Sequence, residues 1–529
     1  MPTALFNRNR GGEPGNSARY SIRRAGAAIV MARRGRDRRT ARRDDRLSAL
    51  SDDLLLDVLR RLDTRTALAA GSLSRRWAHL PLELPALDFR ISDILSPRYH
   101  RCILLHRREI QGTILDCNFR GSEADIKPKI RRYERRAMRS LTSSVESFLD
   151  AAKTKRDRPR RRLSKLRLEF FATYNTSSMN RLIAEAIDTW GLDHLEALAK
   201  PTFQQRQVHT FPSCGLCKEP RASRLQNLKL GGCMLPPLHE YSALTVLVLQ
   251  DIPDSPAAAY EGVFSSDDMI LVQGAPGSNI KELVVDRCRF QHMSLRSLPC
   301  LERLASLGSR VYVESAACPC LRQWNLTLDL GVNLEFMRRY FVQHVKLKLN
   351  LFFRHTPDIT SMIIRFTGPD RWIVPSRFLS TWLPNLRRLL VADVPSSWDV
   401  SWPRLLLETA PSLDTLHVHI APCSEEEPGA EIRWQPSMLR HNHLKEFVIA
   451  GFDATERQIY FVKFVIRVCT SLCHVAMFKN GHAQFKGHWD WEIVTQPHCW
   501  TQEEKEHVLK QIKDRAYCYV CHMPFRVIG

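Results

Sequence analysis

Leucine recurs in this chain in a three-place spacing, L-x-x-L-x-L, and that spacing leaves few folds open. With aliphatic substitutes it runs Leu163/Leu166/Leu168, Leu225/Leu228/Leu230, Leu244/Leu247/Leu249 and Ile280/Leu283/Val285. It continues through Leu301/Leu304 and Leu321/Trp324/Leu326, then resumes at Leu386/Leu389/Val391, Leu413/Leu416/Val418, Leu444/Phe447/Ile449 and Leu472/Val475/Met477. The starts from 386 onward lie 27, 31 and 28 residues apart, a period that holds one strand and one helix. Ten such units in order predict a leucine-rich solenoid, an α/β architecture with a curved parallel sheet and outer helices. In "LQNLKLGGCML" and "IKELVVDRCRF", Cys233 and Cys288 stand where the repeat takes Cys or Asn to bond backbone inside a turn, so both are expected to be structural.

Ahead of the array, Leu50 to Trp77 reads "LSDDLLLDVLRRLDTRTALAAGSLSRRW". Leu54, Leu55, Val58, Leu59 and Leu62 make one broad helical stripe, with Asp52 and Asp53 at the favourable end and Arg60 and Arg61 at the other. "DTRTALAA" predicts a second short helix capped by Asp63 or Thr64, and "SLSRRWAHL" a third beginning at Ser72. Three helices this short cannot bury their apolar side chains among themselves, and each large one left in water costs roughly 1.5–3 kcal/mol. The segment therefore needs a partner, either the first repeat, which it would cap, or another protein.

On its residues this segment resembles an F-box. Leu50, Leu54, Leu55, Val58, Leu59, Leu62, Leu68, Ser74, Arg75 and Trp77 occupy the family's places, while Ser51 replaces the usual Pro and Leu73 the usual Val. The resemblance implies a three-helix module that binds a Skp-type adaptor, and through it a cullin and a RING subunit. Leu50, Leu54, Leu55, Val58, Leu62, Leu68 and Trp77 would be the adaptor-binding residues. Such a protein catalyses nothing; it selects the protein to be ubiquitinated, and the concave strand face of the solenoid would bind that target. "LKEFVIAGFDATERQIYFVKFVIRVCTSLCHVAMF" (Leu444 to Phe478) is similar to the strand–helix–strand ending of plant F-box proteins with leucine-rich repeats, the FBD-like region. There Ile459, Val462, Phe464, Val465 and Val468 would face inward.

The chain accordingly divides into a basic tail expected to be disordered (1–43), the F-box-like segment (46–82), a linker (83–162), the repeat region (163–443), the FBD-like terminal repeat (444–480) and a partly ordered tail (481–529). The linker holds a long helix with Ile130, Tyr133, Ala137, Met138, Leu141, Val145, Phe148 and Leu149 on one face and Arg131, Arg132, Arg135, Arg136 and Arg139 on the other. That helix would pack near the start of the solenoid.

Charge matters because of where it lies. Of the net +22, residues 1–43 contribute +10 and residues 125–167 contribute +11. Clustered Arg suits phosphate backbones, but it equally suits a solvated tail and helix face, and the blocks lack the interleaved aromatics of a single-strand binder. The alternative function is thus a leucine-rich scaffold or nucleic-acid-associated protein outside any ligase. The 15 scattered Cys and the absence of a secretory core indicate reduced thiols in the nucleus or cytoplasm, with no membrane span. Cys214 and Cys217 beside His209, and Cys518, Cys521 and His522, have metal-like spacing, but a structural zinc site needs four convergent ligands and none is expected. No phosphate loop, nucleophile elbow or His-Glu-x-x-His motif is present, so neither cofactor nor catalytic residue is expected. His417 and His419 share the solvent face of a strand.

Overall fold

The computed structural model describes residues 50–71, 76–113, 123–153, 162–173, 176–203, 208–253, 269–273, 278–288, 292–314, 317–329, 350–367, 383–396, 403–422, 440–495, 500–513 and 525–527. The expected disordered tail, the third helix's start (Ser72–Arg75) and the Cys518/Cys521/His522 cluster lie outside these residues. The chain separates into two units, Met1–Ser51 and Asp52–Gly529. Leu50 and Ser51 are the described residues of the first.

The second unit opens with α1 (Asp52–Arg60), α2 (Thr64–Ala70), a 3-10 turn (Leu80–Glu83), β1 (Ala86–Arg90), α3 (Ile91–Ile94), α4 (Pro97–Thr113) and α5 (Glu123–Lys153). Then come β2 (Lys165–Phe171), α6 (Ser177–Asp188), β3 (His194–Lys200), β4 (Asn227–Gly231), β5 (Val246–Gln250), β6 (Met269–Gln273), β7 (Glu282–Asp286) and β8 (His292–Arg296). β9 (Arg303–Leu307), β10 (Val311–Val313), β11 (Gln323–Asp329), α7 (Asn350–Phe353), β12 (Ser361–Thr367), β13 (Arg388–Pro395), α8 (Pro403–Thr409) and β14 (Thr415–Ala421) follow. The last part holds β15 (Glu446–Ala450), α9 (Glu456–Val468), β16 (His474–Phe478), β17 (Gly481–Lys486), β18 (Asp490–Thr495), α10 (Gln502–Lys513) and β19 (Phe525–Val527).

Among the described residues, fourteen strands form one sheet in the order β1-β2-β3-β4-β5-β7-β9-β11-β12-β13-β14-β15-β16-β19. Every neighbouring pair is parallel, as expected of a leucine-rich solenoid. The register explains the spacing in the sequence. The middle positions of the leucine units align into one row that crosses the sheet, from Leu166 through Leu195, Leu228, Leu247 and Leu283 to Leu389, Leu416, Phe447 and Val475. The last positions form a second row two residues on, and the first positions, such as Leu163, Leu225, Leu386 and Leu413, are buried beneath the strands' starts. Each repeat thus buries its leucines against the next rather than within itself. β6, β8 and β10 make a separate parallel sheet, and β17 and β18 an antiparallel hairpin.

Cys233 and Cys288 are buried, with the Cys288 thiol 3.5 Å from the Leu249 carbonyl; burial pushes both thiols up to about 12. Beside Cys233, Gly232 has φ +61°, and a Cβ there would lie 1.9 Å from the Ala199 carbonyl oxygen, so no side chain fits. The helix α9 starts with a capping box, Thr455 and Gln458 satisfying each other's backbone amides, and its Ile459, Val462, Phe464, Val465 and Val468 face inward as expected.

Of the three expected helices, α1 and α2 are in place, and the third is described only from Arg76 onward. Residues 76–79 form turns and a bend, and the 3-10 turn follows with Pro81 in its first positions, where a missing N–H is tolerated. This segment joins the sheet directly: the Asp88 amide of β1 donates to Thr64 Oγ1 of α2 at 2.8 Å. The long helix α5 packs on the 3-10 turn, β2 and α6, with Ile130, Leu141, Val145, Phe148 and Leu149 buried and Arg131, Arg132, Arg135, Arg136 and Arg139 exposed. Its Glu134 is buried and receives both the Tyr99 hydroxyl (3.2 Å) and the Phe203 amide (2.9 Å). Among the described residues no helix is long and apolar enough to cross a membrane.

Candidate functional site

Two surfaces stand out. The first is α1, which is apolar on both sides. Leu55, Leu56 and Leu59 are buried in the unit's own core, whereas Leu54, Val58 and Leu62 are 52%, 39% and 41% exposed. Residues four apart stack along a helix, so Leu54 and Val58 share one exposed apolar line of α1, and Leu62 follows in the turn that closes the helix. Charge frames it: Asp57 pairs with Arg60 at 2.7 Å, and Asp52 with Arg76 at 2.9 Å.

The second surface is the strand face opposite the leucine rows. At its N-terminal end it is polar and laddered with ion pairs, Arg167 to Glu196 at 2.9 Å, Lys229 to Glu196 at 3.3 Å and Lys200 to Glu169 at 2.9 Å. Further along it turns apolar at Ile363, Leu390 and Ala392, and there the hairpin β17–β18 lies across it. Trp491 is buried on those three residues, with Ala483, Phe485 and Ile493 packed beside it. Its indole N–H donates to His417 Nδ1 at 3.0 Å, leaving His417 Nε2 to donate to Glu446 at 3.2 Å. Burial pushes His417 below its usual range against the opposing pull of Glu446. Arg388 lies 4.6 Å from the Trp491 ring centroid and 3.1 Å from the Asp490 carboxylate. The Trp491 amide, and then that Arg388 contact, hold Asp490 below the usual carboxylate range. At the hairpin's turn, Asn325 donates to the His488 carbonyl at 2.9 Å and Arg303 lies over Trp489.

With a leucine-row sheet, an apolar N-terminal helix and a strand–helix–strand ending in place, likeness to known proteins is informative. A putative FBD-associated F-box protein of Arabidopsis thaliana is 32% identical over 107 residues, 19% of this chain and 27% of that protein. An F-box/FBD/LRR-repeat protein from the same plant is 42% identical over 69 residues, 12% of this chain and 16% of its own length. A third Arabidopsis F-box protein is 43% identical over 54 residues, 10% of this chain and 11% of its own length. The chain resembles plant F-box/FBD/LRR-repeat proteins. Each alignment spans about a quarter or less of the relative. No family model matches.

Within the F-box-like segment the structure sorts the expected adaptor-binding residues. Leu54 and Val58 share the exposed row, with Leu62 exposed in the turn beyond it. Leu55 is fully buried and so does not belong to that row, because it lies on the face of α1 that packs into the unit's own core. Leu68 is half-buried and lines a cleft of about 380 Å³ against Phe148 and Ser147 of α5, away from the row. Trp77 is half-buried in the turns before the 3-10 turn, and Leu50 falls in the other unit. His417 and His419 do share one strand face, but that face is not the solvent face expected: the hairpin covers His417, and His419 is buried 3.0 Å from Asp393. The hairpin is the element that sequence reasoning missed, although "GHAQFKGHWDWEIVT" alternates small or apolar with polar residues around Gly487. Near the first Cys pair, Cys217 lies 3.2 Å from the Tyr241 hydroxyl and His209 bonds Asn180 at 3.0 Å. Among the described residues no group of three or more His, Cys, Asp or Glu is placed to hold a metal ion.

Proposed function

We propose that this chain is the substrate-recognition subunit of a Skp–cullin–F-box ubiquitin ligase. In this reading the α1 row binds the Skp-type adaptor, the strand face takes the target protein, and the chain has no catalysis of its own. The observation that supports it is the exposure of Leu54 and Val58 on a helix whose other face is already buried, with Leu62 exposed in the turn beyond it. A helix needing one buried stripe to fold has here a second, which a cap for the first repeat does not require. Names of the relatives that include an F-box support the same reading. A nuclear or cytosolic setting belongs to the proposal.

The test is capture of the purified chain on an immobilised Skp adaptor, beside a Leu54→Asp/Val58→Asp variant. Capture of the parent and loss in the variant is the expected result. Equal capture of both, or none of either, overturns it. The exposed arginines of α5 favour one alternative, a polyanion-binding scaffold; binding to RNA that weakens steeply with salt, with no adaptor capture, would establish it.

A further inference from the structure

The hairpin β17–β18 is seated on the strand face as a ligand would be. It enters beside Ala450 of β15 and its turn reaches Arg303 of β9. Eight residue steps from Gly481 to Trp489, at about 3.3 Å each, come to about 26 Å, close to the about 24 Å of five strand spacings of about 4.8 Å between those strands. Gly481 makes the entry possible, since a Cβ there would meet Ala450 Cβ at 2.9 Å and Phe478 Cβ at 3.2 Å. Gly481 pairs with Thr495, so the strap enters and leaves at one place.

Its root is held separately. Lys479 bonds Glu504 of α10 at 2.9 Å and lies over the Trp500 ring, and β19 rejoins the sheet beside β16. The strap itself is a lone two-stranded hairpin, marginal without a surface to rest on. Within it Trp491 is the one large side chain buried; Phe485 and Ile493 are only partly so. Lifting the strap therefore need not disturb either the root or the leucine rows.

We propose that the hairpin is a displaceable occupant of the face, and that a partner protein binds there through an extended segment carrying an acidic residue followed by an aromatic one. The inference rests on the reading of the strand face as the target's seat and names the chemistry of that target. Arg388 recognises both features, its guanidinium meeting the Asp490 carboxylate and the Trp491 ring. His417 Nδ1 selects an indole over a phenyl ring by taking its N–H, and Ile363, Leu390 and Ala392 form the apolar floor. A basic residue in the place of Asp490 would face Arg388.

The experiment replaces residues 481–495 of the full chain with a short Gly-Ser loop, which the Gly481–Thr495 pairing allows, and titrates a fluorescein-labelled peptide of residues 488–495. The replaced chain is expected to bind it, the parent chain at least ten-fold more weakly because its own strap competes, and a Trp491→Ala peptide at least ten-fold more weakly than the native one. A folded replaced chain that does not bind, or a parent that binds equally well, overturns the proposal. Should the replaced chain fail to fold, hydrogen exchange of the parent decides: amides of residues 482–486 and 491–494 are expected to exchange at least ten-fold faster than those of Leu389–Val391, and equal protection overturns it. Neither measurement involves the adaptor, so failure of the ligase reading and failure of this one are separately visible.

Discussion

His209 shows how one side chain can set a protein's response to acid. Its ring is buried between Phe170 and Phe211 and its Nε2 meets Asn180, so burial lowers its pKa to about 4. The folded state holds the neutral ring, while the unfolded chain takes up a proton near the ordinary 6.5. Stability from this group is thus complete above the unfolded value and is lost as pH falls from 6.5 toward 4. Between pH 7 and pH 5 the loss is about 2 kcal/mol. Urea unfolding at the two pH values should show it, and a His209→Gln variant should lose that part of the difference. Little at this scale could be read ahead of the fold. His209 stood in the sequence as a candidate metal ligand beside Cys214 and Cys217, because only the neighbours that topology supplies reveal that it is walled in by rings. The roles of Cys233 and Cys288 were legible, since a repeat fixes surroundings that a lone residue does not.

At the scale of elements, α1 carries two rows with opposite fates. Leu55→Ala removes packing from a fully buried site and should lower stability by about 2–5 kcal/mol, whereas Leu54→Ala/Val58→Ala should change it by no more than about 0.5 kcal/mol per site. Thermal unfolding of the two variants beside the parent separates the rows without reference to any partner. The sequence shows a helix with a broad stripe, but not which half of that stripe faces the core; that depends on where the 3-10 turn Leu80–Glu83 lies. β1, β3 and β12 illustrate the limit of pattern reading. They keep the leucine spacing as Leu84/Leu87/Phe89, Leu192/Leu195/Ala197 and Ile359/Met362/Ile364, every residue buried, yet none of the three stands among the ten units read from the sequence, although Phe447 and Met477 are admitted there. The ladder tolerates them because a row of neighbours, not one side chain, fills the space beneath each strand. β1 also lies within residues 83–162, so the sheet begins ahead of the first leucine unit.

Across the whole molecule, a solenoid's repeats touch only their neighbours, and stability adds along the array. The hairpin breaks that rule by tying residue 488 to residue 325 and residue 490 to residue 388. Truncation after Phe478 would uncover Ile363, Leu390 and Ala392 and strip β19 from the edge of β16. Such a chain should melt at lower temperature and associate with itself, visible as faster, concentration-dependent boundaries in sedimentation velocity, because an open strand edge beside an apolar patch is a template for pairing. The general plan of a parallel sheet was legible, since ten units share one spacing. The fold-back was not, because nothing in a local pattern says which distant face a hairpin will cross.

A tether between α2 and β1 would let the N-terminal helices swing. Thr64 instead holds the Asp88 amide of the first strand, so the α1 row and every strand behind it keep fixed ranges. The sheet then works as a ruler. On the proposed reading, a partner seated on a given strand would stand at a set distance from one seated on α1, and inserting or deleting a repeat between them would move it by one graduation, about 4.8 Å.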